Sequence, residues 1–347
     1  MALSQDKKEL ISLEVIKTLY SRFQNFPENS ENNRNAPFHK AFLNAFYYKF
    51  KDKVSDLSFF ISLSSWLHGL NTTLGQSFFE EVAHILSDGQ KKGFTKADGT
   101  VLKITKKQKN NIADIITDLK NGNQKPDIKR ENNLIFINEG EETEANNFTA
   151  DVFMEDDEKI ICVELKSVKP NAGEMRSEKQ KILEAKAALY YSFPGKKVEF
   201  YIGFPFDPTS KNETSFNKTR FLSQIIDGTK YYDFSEVLVA SELWDFLSSE
   251  KNTMQQILNI INSIAKPEFK NNYNKLINPH TNHKVKQEIL FGWNIFSEIK
   301  LIENNDLIIS KINGNKKLKR IYNQDIFING KYNRKRAVEL LKLVNHP

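Results

Sequence analysis

Two short β-type runs joined by a tight acidic turn constrain this chain more than any other feature: residues 149–168 read TADVFMEDDEKIICVELKSV. The period of two and the β-branched and aromatic residues predict a hairpin. If the turn is the two-residue loop Asp157-Glu158, or the four-residue loop Asp156 to Lys159, opposed residues have numbers summing to 315. Asp151 then faces Glu164 across the strand pair. Alternation puts Lys166 on the same face as Glu164, while Ile161, Val163 and Leu165 point to the other face, where helices can cover them.

This register brings two carboxylates to within about 5 Å at Cβ, near enough to share one small divalent ion. Side by side they repel, and an oxygen-only pair suits Mg²⁺, which takes few protein ligands and keeps several waters. With Lys166 beside them to orient a nucleophile and neutralise developing charge, the constellation points to metal-assisted phosphodiester hydrolysis.

The rest of the chain frames that hairpin. The first 120 residues read as mostly helical, with Leu10, Leu13, Ile16, Leu19 and Tyr20 at helical spacing and Phe-rich stretches over 38–50 and 59–70 that read as core or dimer surface. QSFFEEVAHIL at 76–86 predicts a helix with Phe78, Phe79, Val82, Ile85 and Leu86 on one face and Glu80, Glu81 and His84 toward a rim. From Asn133 onward the pattern turns to strands at 134–138, 149–154, 159–168, 198–204 and 237–240. Asn171 to Glu174 has capping-box form and opens a helix reaching Tyr191, and another helix begins near Ser241. Pro267, Pro279 and repeated Asn mark 266–283 as a linker. Beyond it, 307–312 and 321–330 read as short strands and 334–344 as a terminal helix. The expected architecture is α/β, with three parts: a helical layer over 1–75, a catalytic core over 76–265, and a basic α+β region over 266–347.

The Asp, twelve intervening residues and Glu-Leu-Lys at the end of an apolar strand resemble the PD-(D/E)xK nuclease superfamily. The longer run ELKSVKPNAGEMRSEKQKILEAKAALYY, followed by YIGFPFDP and EVLVASELWDFLS, resembles type II restriction endonucleases, specifically the TdeIII-like group, over about residues 76–250. The resemblance implies a restriction-endonuclease-like core, a central mixed β-sheet flanked by helices. It also implies a homodimer that uses Mg²⁺ to cut both strands of a short specific site in double-stranded DNA, with a cognate methyltransferase protecting host DNA. On its pattern Asp151 and Glu164 match the metal-binding acids, Lys166 the lysine, and Glu80 or Glu81 an acid on the preceding helix. One departure is that Ala150, not Pro, precedes Asp151. A literal Pro126-Asp127 lies upstream, but Asp127 is 37 positions before Glu164, too distant for the same hairpin.

Charge and composition fit this reading. The net charge of +6 is uneven, because residues 266–347 carry 16 Lys/Arg against 7 Asp/Glu, an excess that suits a polyanion-binding surface. Arg176, Lys179, Gln180 and Lys181 follow the hairpin on the expected helix and are candidate DNA contacts. The single Cys162 excludes an internal disulfide framework and a Cys-based zinc site, and the expected compartment is the cytoplasm. MALSQDKKELISLEV lacks the form of a secretion signal, and no window approaches the roughly 18 apolar residues of a membrane span. His280 and His283 have ligand-like spacing without further ligands, and Glu139, Glu141, Glu142 and Glu144 read as a solvated acidic loop. A repair or junction nuclease on the same core, or a catalytically inactive DNA-binding protein, are the alternatives.

Overall fold

The computed structural model describes residues 2–28, 37–50, 56–166 and 172–345. The chain divides into two compact units, one of Met1–Leu3 with Phe79–Gln256 and one of Ser4–Phe78 with Ile257–Pro347.

In the first unit the strands are β1 (Gln90–Phe94), β2 (Lys103–Thr105), β3 (Glu142–Glu144), β4 (Phe148–Glu155), β5 (Lys159–Leu165), β6 (Lys197–Phe204) and β7 (Val237–Val239). Five form one mixed sheet in the order β1-β4-β5-β6-β7; β2 and β3 pair separately. The pairs β1/β4 and β4/β5 are antiparallel, and β5/β6 and β6/β7 are parallel. The β4/β5 ladder pairs Val152 with Val163 and Glu155 with Ile160. Every pair sums to 315, and Asp156 accepts the backbone N–H groups of Glu158 and Lys159 in the turn. The hairpin register is therefore the one that the alternation requires.

Parallel strands cannot be joined by a tight turn, so the chain crosses from β5 to β6 through the helix Ala172–Ser192. Its Met175, Ile182, Leu183, Ala185, Ala187, Ala188 and Leu189 are buried, and the alanines permit close approach. A buried ionic cluster anchors the same helix. Lys179 Nζ lies 2.6 Å from Glu131 Oε2, on the helix Ile128–Ile135, and 2.6 Å from Glu236 Oε2. Lys186 Nζ lies 3.8 Å from Glu236 Oε1 and, among the described residues, makes no hydrogen bond. Burial pushes the Lys186 pKa down to about 8.

The second unit is built mainly of helices. Leu301, Ile308, Ile312, Ala337 and Leu340 form a core cluster in it. Arg336 makes two hydrogen bonds from Nη1 to Glu298, which also accepts the Tyr332 hydroxyl at 2.9 Å.

Several sequence expectations need correction. Residues 134–138 are not a strand: Asp127 caps a helix by accepting the N–H groups of Lys129 and Arg130, and that helix runs through Ile135. Residues 307–312 are helical (Asn305–Ile312), because Ile308 and Ile312, one turn apart, pack on Ala337 and Leu340; burial outweighs the β preference of the Ile residues. The 321–330 segment reduces to Phe327–Ile328, paired with Lys331–Tyr332 across Asn329-Gly330, both at positive φ as a tight hairpin turn needs. The basic region is thus mostly helical. The linker at 266–283 contains a helix, Phe269–Ile277, between its two prolines. Among the aromatics expected to be core or dimer surface, Phe38, Phe42, Phe46 and Tyr48 are exposed and not core. β1 and β2 lie in the segment expected to be helical, and the Asn171 capping box lies outside the described residues.

The buried lysine gives a pH-dependent prediction. Its folded pKa is below its unfolded one, so its charged form destabilises the fold at neutral pH, and that penalty disappears as pH rises from about 8 to about 10.5. Lys186→Met should therefore stabilise the protein by roughly 1–3 kcal/mol at pH 7, and the gain should shrink to little by pH 10. Urea unfolding of both proteins across that range checks it.

Candidate active site

The site lies at the end of β4 and β5 remote from their turn. Continuing the 315 register one step beyond Val152 and Val163 sets Asp151 opposite Glu164. Asp151 Oδ2 accepts the Leu165 N–H at 2.9 Å, which fixes its carboxylate against β5. His84, on the helix Phe79–Ser87, hydrogen-bonds through Nε2 to the Asp151 backbone oxygen at 2.6 Å; a carbonyl only accepts, so Nε2 carries the proton. Lys166 follows β5 directly, and its N–H donates to the Gly203 carbonyl at 2.8 Å, extending the parallel pairing with β6.

Two further elements close in on this pair. On β1 the register with β4 slips between Gln90 and Lys92, and such a bulge re-aims a side chain. Lys91 Nζ stands 3.0 Å from Glu80 Oε2 and 3.9 Å from Asp151 Oδ1, whereas Lys92 pairs with Glu155. From the crossover helix come Glu174, Glu178 and Lys181, spaced i, i+4, i+7 and so on one face. Lys166 Nζ is 3.0 Å from Glu178 Oε1, 3.4 Å from Glu164 Oε1 and 3.9 Å from Glu174 Oε1. Lys181 Nζ is 2.8 Å from Glu164 Oε1 and 3.1 Å from Glu178 Oε2.

Burial raises the pKa of Asp151, partly offset by the Leu165 N–H and Lys91. Burial raises Glu164 as well, and the neighbouring Asp151 charge adds to it. Burial opposes the charged form of Lys166, yet Glu164 and Glu178 outweigh it and hold its pKa above the ordinary lysine value. Lys166 is thus an ammonium, suited to attracting and orienting anions rather than to taking a proton. Among the described residues no three Asp, Glu, His or Cys converge as a ready metal cluster. Asp151 and Glu164 nonetheless fit a hard divalent cation. Both are oxygen donors, they repel each other, and Glu164 Oε2 is buried with no hydrogen-bond partner among the described residues.

A family model described as type II restriction endonuclease, HinfI, matches residues 3–265. The chain belongs to the HinfI family of type II restriction endonucleases. It is also 43% identical over 372 aligned residues to the type II restriction enzyme MjaII of Methanocaldococcus jannaschii, an alignment that covers 99% of each protein. This HinfI-family enzyme is accordingly a site-specific deoxyribonuclease that cleaves double-stranded DNA, and enzymes of its class use a divalent metal. The type II restriction assignment stands; the group whose model matches is HinfI, where the sequence resembled the TdeIII-like group. No helix among the described residues is long and apolar enough to cross a membrane.

The structure of this HinfI-family enzyme brings together Asp151, Glu164, Lys166 and Glu80, while Glu81 is exposed on the other side of its helix. Asp127 is a helix cap. Of the candidate DNA contacts, Arg176 and Gln180 are exposed, but Lys179 is wholly buried between Glu131 and Glu236 and its ammonium is committed there, out of reach of a phosphate. Lys181 turns to Glu164. The acids at 139–144 pair with Lys107, Lys106, Lys103 and Lys96 at the surface. Sequence reasoning missed Lys91 and Glu178. Nothing in QKKGF marks Lys91, whereas Glu178 was legible as the residue one turn after Glu174 and three before Lys181 on the crossover helix.

Removing one of two repelling carboxylates, Glu164 buried and Asp151 partly buried, should stabilise the metal-free protein. Asp151→Asn, which can still accept the Leu165 N–H, should raise the melting temperature in EDTA by about 2 °C. Calorimetry of the two proteins tests this, and a lower melting temperature would contradict it.

Proposed function

We propose that this HinfI-family endonuclease hydrolyses DNA with Asp151 and Glu164 as ligands of Mg²⁺, Lys166 as the residue that orients the attacking water and neutralises phosphate charge, and Glu80 as an accessory acid. The observation that carries this reading is the hairpin register, which sets one acid from each strand on a common face beside a charged lysine. The bound ion would supply Lewis acidity toward a phosphoryl oxygen and a more acidic water. The chain's own residues do the positioning: the Leu165 N–H and the His84 ring hold Asp151, and the ion pairs around Glu164 hold Lys166. Arg176 and Gln180, exposed on the same helix as Glu178, are placed to meet the DNA backbone beside the site, and the basic residues of 266–347 add a phosphate-binding surface.

The enzyme acts as a homodimer, since two copies of one active site related by a two-fold axis cut the two strands of a symmetric site. It works in the cytoplasm together with a methyltransferase that protects the same sequence. The helical layer over 1–75, the core over 76–265 and the basic region over 266–347 then divide the labour among dimerisation, cleavage and DNA holding.

Incubating the protein with unmethylated phage DNA, with and without Mg²⁺ and beside Lys166→Ala, tests the assignment. The expected result is discrete fragments that need Mg²⁺, with cleavage by Lys166→Ala reduced at least ~100-fold. Sequenced ends then give the site and stagger. Undiminished cleavage by Lys166→Ala would overturn the role of that lysine, and fragments without any divalent ion would overturn the metal.

A further inference from the structure

We infer that Glu178 is a positioning residue for catalysis: from the crossover helix it holds the two active-site lysines, one on each carboxylate oxygen, and so sets where their charges sit relative to Glu164. The inference rests on the proposed role of Lys166. Oε1 of Glu178 lies 3.0 Å from Lys166 Nζ and Oε2 lies 3.1 Å from Lys181 Nζ. Both ammoniums also reach Glu164 Oε1, at 3.4 Å and 2.8 Å. The four side chains form a closed ring, Glu164–Lys166–Glu178–Lys181, of alternating charge.

The ring solves a geometric problem. Lys166 and Lys181 both point to the same oxygen of Glu164, and like charges that close repel. A carboxylate between them, with one oxygen for each, screens that repulsion and fixes two long side chains that would otherwise have many rotamers. A ligating Glu164 must share its charge with a cation, which weakens its grip on either lysine; Glu178 is then the partner that keeps both in place. Its side chain is only 16% exposed, so these ion pairs are stronger than ordinary surface pairs. The strand residue Lys166 and the helix residue Lys181 come from different elements, and the clamp therefore ties the crossover helix to the end of β5. Behind it, Lys179 locks the opposite face of the helix to Glu131 and Glu236, so Glu178 is presented from a fixed support.

Glu178→Gln keeps the shape and removes the charge. Steady-state cleavage of a specific duplex with Mg²⁺ should show kcat lowered about 10- to 100-fold with KM little changed, the scale expected when a reacting group is displaced by about 1 Å. Mn²⁺ affinity measured by electron paramagnetic resonance and specific duplex binding in Ca²⁺ should stay at their wild-type values, and the melting temperature should fall by only about 2–4 °C, the scale of the lost ion pairs. Glu178→Asp, which keeps the charge one methylene further back, should recover part of kcat, and it carries the test if the Gln variant melts near the assay temperature. Unchanged kcat in Glu178→Gln, or in its absence wild-type kcat in Glu178→Asp, would overturn the inference. So would a loss of kcat that tracks an equal loss of Mn²⁺ affinity, because Glu178 would then be a metal ligand. A loss that tracks the melting temperature, unrescued by Asp, would make it a structural residue. Lys166→Met serves as the reference: wild-type cleavage by that variant refutes the underlying assignment of Lys166, whereas an inactive Lys166→Met beside a fully active Glu178→Gln refutes only the clamp.

Discussion

The repulsion between Asp151 and Glu164 is the constraint around which the rest of the site is arranged. A hairpin of this register must bring the two carboxylates face to face, and the sheet buries them enough to raise both pKa values. The surroundings answer with positive charge from three directions: Lys91 from β1, Lys166 from the end of β5 and Lys181 from the crossover helix. None of these cations removes the cause, which is two acids on adjacent strands. Two repelling acids held together in this way are the kind of local conflict that a binding function leaves in an otherwise consistent fold.

The crossover helix connects fold to site. It is required by topology, because β5 and β6 are parallel, and its two faces carry different chemistry. One face holds Lys179 and Lys186 in a buried cluster with Glu131 and Glu236. The other presents Glu174, Glu178 and Lys181 to Lys166 and Glu164. The buried Lys179 ion pairs add little to stability compared with apolar contacts, but losing Lys179, Glu131 or Glu236 is costly, so they hold the helix in a single placement.

Much of this was legible in the sequence, for a physical reason. Alternation with period two and an even-length turn leave one register, the one that pairs Val152 with Val163, and that register alone determines which acid meets which. Lys91 was not legible, because β1 is a short edge strand without an apolar pattern and its lysine reaches the site only through a bulge. The reading of Lys179 as a DNA contact failed for another reason: a lysine in a polar helical segment looks solvent-facing unless its buried acidic partners, 48 and 57 positions away, are known. The strand expected at 307–312 failed because three isoleucines favour strand locally, while the helix that buries two of them, Ile308 and Ile312, depends on residues near 340. Local pattern identified the hairpin; long-range ion pairs and packing decided the rest.

Direct measurement of metal binding tests the central claim most sharply. Mn²⁺ titrated into the DNA-free protein and followed by electron paramagnetic resonance should show a saturable site that is lost or weakened at least tenfold in both Asp151→Asn and Glu164→Gln. Wild-type Mn²⁺ binding in both variants would contradict the account, because the carboxylate pair that organises the site would then not be what holds the ion.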